Sequence, residues 1–153
     1  MGIAALVVAR GSLPERIATH FDLAGNADGH GSRDAFLLTF AAVIVGNAAL
    51  FLGLAWLLPR VPDSLVNLPH KAYWLAPSRR EASLAAVAAA LQRIAAATTA
   101  LLVVEFALAC AANRAERPAL SPASNLALGA YLVYVGVAAW RLHRRFRVLP
   151  PGG

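Results

Sequence analysis

The feature that most limits this chain is an uninterrupted stretch from Ala35 to Leu58 that carries no charged residue over 24 positions. Coiled as a helix it measures roughly 36 Å, enough to cross a hydrocarbon layer of about 30 Å. A soluble fold of this size has no interior in which to hide such a segment. Composition agrees: 59% of the 153 residues are hydrophobic and 14% charged, where ordinary globular domains hold about a quarter charged residues.

Two more helices follow. The stretch from Glu81 to Asn113 has Arg93 and Glu105 as its only internal charges. Its first part, to Arg93, reads as an alanine-rich helix at or outside the interface, and residues 94–112 as a span. A third span is expected over 124–141, with Trp140 at an interface and a basic tail over 142–153. Prolines punctuate the chain between them: Pro59 and Pro62, then Pro69 and Pro77, then Pro118 and Pro122. The expected fold class is all-α: an integral membrane protein with three transmembrane helices in a small bundle, forming a single membrane domain over 1–153, with a short extracytoplasmic motif over 13–34 and a cytoplasmic loop over 59–80.

Charge gives the direction. The side holding loop and tail carries nine Lys and Arg (Arg60, Lys71, Arg79, Arg80, Arg93, Arg141, Arg144, Arg145, Arg147), and the other carries five (Arg10, Arg16, Arg33, Arg114, Arg117). The positive-inside rule makes the first side cytoplasmic. A multi-pass protein of a bacterial inner membrane with a cytoplasmic C-terminus is expected. Although the net charge is +6, the basic residues flank apolar blocks instead of forming an aromatic-interleaved tract, so no nucleic acid partner is expected.

Two motifs stand on either side of the first span. Leu13, Pro14, Ile17, His20 and Phe21, followed by Gly25, Asp28, Gly31, Ser32 and Arg33, resemble the bacterial domain of unknown function 1648, whose pattern is approximately LPxxIPxHFxxxGxxDxxGSK. The segment with Asn67, Pro69, Tyr73 and Trp74 resembles that family's NxPNxxYWL element. Ala18 stands where the pattern has proline, His70 where it has asparagine, and Arg33 where it has lysine. The resemblance implies a full membrane helix ahead of the first motif. Met1 to Ala9 is too short for one, so a start assigned too late or a lost helix is expected. Because SdpI-type proteins share the domain, the resemblance also implies a role in immunity or signal relay.

The polar residues leave several readings open. His20 and Asp22 are weak metal-ligand candidates beside a plainer reading in which Asp22, Gly25 and Asp28 serve turn chemistry; no cofactor is expected. Tyr73 and Trp74 beside Lys71, Arg79 and Arg80 suit an interface anchor on an anionic leaflet, a docking surface for a cytoplasmic protein, or a loop folded against the spans. Glu105 at membrane depth demands a partner. Tyr131 lies at similar depth if the second and third spans are antiparallel neighbours, and Arg33 or Arg114 offer alternatives. Asn47 next to Gly46 suits close helix packing within the chain, with a second copy or with another membrane protein, alongside contact with the bilayer itself. No nucleophile with a base, no phosphate loop and no metalloprotease motif is present, so no enzymatic activity is expected. A further expected function is that of an accessory structural subunit in a larger membrane complex, and another is metal or ion binding. For the direction, a green fluorescent protein fused after Gly153 is expected to fluoresce and an alkaline phosphatase fused there to stay inactive; the opposite pair of results reverses the topology.

Overall fold

The computed structural model describes residues 3–149. It contains helix α1 (Ile3–Ser12), strands β1 (Arg16–Phe21) and β2 (Ala27–Ser32), and helix α2 (Arg33–Leu57). After two 3-10 turns come the short helix α3 (Lys71–Trp74), helix α4 (Arg80–Ala112) and helix α5 (Ala123–Arg147). Among the described residues three helices are long and apolar enough to cross a membrane, at 33–60, 80–112 and 123–147. The protein is thus a helical membrane protein, with the large apolar side chains of α2 and α5 mostly facing outward, as lipid-facing helices require.

Local chemistry explains the boundaries. The Ser32 hydroxyl accepts the Ala35 N–H at 3.2 Å, capping the first turn of α2, and Pro59 enters a 3-10 turn where α2 stops. At the start of α5, the Ser121 hydroxyl accepts the Ala123 N–H at 3.2 Å. The arginine-rich stretch after Trp140 stays helical through Arg147, so the basic residues occupy the last turns of α5.

The polypeptide divides into two compact units. One consists of the described residues to Gly46 with Thr99–Ala130. It contains the β-hairpin, a small addition to an otherwise helical protein. The strands pair antiparallel with irregular register around His20. Two glycines of β2 make room for that register: a Cβ on Gly29 would lie 2.9 Å from His20 Cβ, and one on Gly31 3.0 Å from Thr19 Cγ2. The core of this unit joins Ala9, Leu13, Ile17, Phe36, Leu37, Phe106, Ala109 and Cys110. Phe40 closes a three-ring cluster with Phe36 and Phe106, at centroid separations of 4.9 and 5.2 Å.

The other unit consists of Asn47–Thr98 with the described residues from Tyr131 onward. Its loop core is Val66, Leu75 and Leu84, with Leu58, Val61 and Leu68 against it. Arg80 organises the preceding loop from the first turn of α4. Its guanidinium donates to Asp63 Oδ1 at 2.9 Å, to the Pro59 carbonyl at 3.0 Å and to the Val61 carbonyl at 2.9 Å. Between α2 and α4, Asn47 Nδ2 lies 3.4 Å from the Ala95 carbonyl.

The hairpin turn depends on Gly25, buried with φ at +88°. A Cβ there would meet the Leu120 carbonyl oxygen at 2.5 Å, while the Leu120 N–H donates to the Gly25 carbonyl at 2.8 Å. Gly25→Ala therefore combines an unfavourable backbone region with a clash against backbone. The expected loss is about 2 kcal/mol of stability, read as a lowered melting temperature of the detergent-solubilised protein; an unchanged Tm contradicts the account.

Candidate functional site

The first motif forms the hairpin of the first unit and adds Leu13 and Ile17 to its core. Leu13 and Ile17 are buried in the core, whereas Pro14 and His20 are exposed and Phe21 is half-buried. Asp22 organises the turn: its carboxylate accepts the Asn26 N–H at 2.8 Å and the Asn26 side-chain amide at 3.1 Å. These bonds, the side-chain one first, hold the Asp22 carboxyl below the usual carboxylate range. A depressed carboxyl adds stability above its unfolded pKa and loses it as pH falls through the folded value, so the turn is tightest at neutral pH. His20 and Asp28 meet across the hairpin through Nδ1 and Oδ1, and Asp22 turns instead to Asn26. Among the described residues no three His, Cys, Asp or Glu side chains come together as a metal cage.

Arg33 does not reach Glu105. Its guanidinium donates to the Leu13 carbonyl at 3.1 Å and to Asp34 at 3.3 Å. Arg114 is also engaged elsewhere, donating to the Ser12 hydroxyl at 2.7 Å. The expected Tyr131 to Glu105 bond is not formed either. Ser124 donates to Glu105 Oε2 at 2.6 Å, and the Tyr131 hydroxyl meets Thr98 Oγ1 at 2.9 Å. The physical reason is register. Counting inward from the two helix ends assumes that α4 and α5 end level with each other. Instead the first turn of α5 faces a point of α4 seven residues before its end, and Tyr131, seven residues beyond Ser124, faces Thr98, seven before Glu105. Glu105 thus lies at the N-terminal turn of α5, where the helix dipole is positive.

The residue that joins this unit is one the motifs do not contain. Asn113 follows the last residue of α4 and is 4% exposed. Its side-chain oxygen accepts the Ala18 N–H at 2.7 Å, while its amide donates to the Ala18 carbonyl at 2.9 Å and to the Ala109 carbonyl at 3.0 Å. Ala18 is fully buried, so Asn113 satisfies both of its backbone groups much as a neighbouring strand would, and the same amide adds a second bond to the Ala109 carbonyl, which already accepts the Asn113 backbone N–H at 3.1 Å. Proline, the residue of the family pattern at this position, has no N–H to donate. In sequence Asn113 looks like any asparagine after a helix, and only the pairing of Ala18 reveals its task.

The second motif closes the other unit. Trp74 donates its indole N–H to the Phe146 carbonyl at 2.7 Å and stacks edge-on against the Phe146 ring at 5.4 Å. His70 Nε2 lies 3.1 Å from the Arg147 carbonyl, so the loop caps the C-terminal end of α5. His70 does this at φ 49°, a left-handed conformation in which asparagine and histidine are enriched. Tyr73 lies under Arg79, whose guanidinium is 3.8 Å from the ring centre, and Pro69 is half-buried while Asn67 is exposed. Of the readings open for this loop, folding against a span is the arrangement observed.

Residues 1–46 match the model of the family described as Domain of unknown function (DUF1648). The match covers α1, the hairpin and α2 to Gly46, and ends before the Asn67–Pro77 segment. Comparison with curated proteins and with solved structures gives no match.

Asn113→Ala strands two buried backbone groups of Ala18, each costing about 1–3 kcal/mol when unpaired. The Ala18 amide is expected to lose its hydrogen-exchange protection while the amides of Trp74 and Leu75 keep theirs; retained protection at Ala18 refutes the assignment.

Proposed function

We propose, from the premise that the N-terminal segment is a DUF1648 domain, that this protein is a non-enzymatic relay component of a bacterial inner membrane, with its C-terminus cytoplasmic, of the kind used in SdpI-type immunity or signalling. The observation that carries the reading is the Asn113 clasp. The hairpin, the most elaborate polar structure outside the spans, is bonded to the end of α4, and α4 is one unbroken helix from Arg80 to Ala112. At its other end the same helix begins with the Arg79 and Arg80 contacts that hold the loop of the second motif. A ligand that displaces the hairpin therefore acts on a helix whose first turn organises that loop. Such coupling requires two arrangements of a shared element, biased by each end.

The test is a reversible clamp. Asn26 and Ala119 are antiparallel bridge partners, close enough for a disulfide. The full chain carrying Asn26→Cys, Ala119→Cys and Cys110→Ala is compared oxidised and reduced, and tryptic cleavage after Lys71 is timed. Relay predicts rates differing about fivefold or more, the lower end of ordinary coupling between sites; equal rates refute it.

A second reading, an accessory subunit of a larger membrane complex, is favoured by the apolar face of α5. Leu126, Leu132 and Val133 are 75%, 60% and 67% exposed, and a Cβ added to Gly129 or Gly136 meets nothing, as on helices that pack closely against others. Purification with another membrane protein at fixed stoichiometry favours this reading over the relay.

A further inference from the structure

A groove of about 480 Å³ lies between α4 and α5 within the second unit. Ala86, Ala90 and Arg93 form one wall, spaced four and three residues apart and so on a single face of α4. Tyr134, Arg141 and Arg145 form the other, likewise on one face of α5. The lining is apolar apart from Tyr134 and three arginines.

Among the described residues those three cations, Arg93, Arg141 and Arg145, are paired with no carboxylate: the ion pairs involve Arg10, Arg33, Arg80 and His20. The guanidinium carbon of Arg145 lies 6.0 Å from the centre of the Phe146 ring. Like charges gathered around a cleft repel one another unless an anion is shared between them, and arginine forks match the oxygens of a phosphate.

The surroundings say which phosphate. Toward Tyr134 the groove leads into the uncharged stretch 126–140 of α5, and beyond Arg93 α4 continues through Ile94 with no charge before Glu105. Trp140, 56% exposed with Arg144 stacked 5.3 Å above its ring, marks where apolar helix gives way to the polar interface. A ligand filling this groove has a phosphate at one end and hydrocarbon at the other. We propose that the groove binds an anionic glycerophospholipid, with its phosphate among Arg93, Arg141 and Arg145 and its acyl chains leaving past Tyr134. Basic clefts between membrane helices hold lipid headgroups in this manner.

The experiment uses the full-length protein in detergent and native mass spectrometry with equimolar phosphatidylglycerol and phosphatidylcholine as probes. Wild type is expected to retain phosphatidylglycerol selectively. Arg93→Gln and Arg141→Gln each weaken retention about fivefold, whereas Arg144→Gln with Arg147→Gln, on the same helix but outside the groove, leaves it unchanged. Val137→Trp, which fills the groove without altering charge, expels the lipid and serves if the arginine variants fail to fold. Equal retention of both lipids overturns the proposal, as does equal loss in groove and control variants, which reports net charge alone. Displacement by inorganic phosphate mole for mole also overturns it, by making the ligand a soluble anion.

Discussion

A backbone taken into hydrocarbon has to satisfy its own polar groups, and a helix does this everywhere except at its ends. Much of the irregular structure of this protein answers that one constraint. At the end of α4 the carbonyl of Ala109 receives both the backbone N–H and the side-chain amide of Asn113. At the end of α5 the carbonyls of Phe146 and Arg147 receive Trp74 and His70. At the starts of α2 and α5, Ser32 and Ser121 hold the first N–H groups. The Asn113 and Trp74 caps each come with a second partner, so finishing a helix also fixes a loop or a hairpin in place.

The same economy appears in the arginines. Arg80 gathers two carbonyls and a carboxylate of one loop, and Arg33 ties the chain before the hairpin to the start of α2. Each works through backbone carbonyls, groups that any sequence supplies. The groove arginines differ, because among the described residues no carboxylate is paired with them.

How far the sequence discloses this structure varies with the range of the interactions. The helix 33–57 follows from its own residues: a charge-free run, a serine before it and a proline after it. The start of α4 at Arg80 is likewise close to the breaker at Pro77. The end of α5 is less legible, since its basic turns have no apolar signal and are finished by residues more than seventy positions earlier. Strand β2, ADGHGS, has neither β-branched residues nor apolar alternation; it is a strand because its glycines admit β1 and the turn at Asp22 brings them together. Asn113 and Ala18 are separated by 95 residues, and nothing local to either announces the pairing. Glu105 shows a different limit. Its need for a polar partner was readable, but which partner depended on the register of two helices, and that is decided by the folded loop between them.

The capping of α5 by Trp74 and His70 also sets an order for biosynthesis. The loop leaves the ribosome well before its partners, which lie 72 and 77 residues downstream. Until α5 has been made, the Trp74 indole and the His70 imidazole have only water or lipid headgroups to bond, and the second unit lacks Phe146, one of its most deeply buried side chains. Insertion of the first two long helices can precede that moment, but the unit becomes whole only when the last turn of α5 arrives.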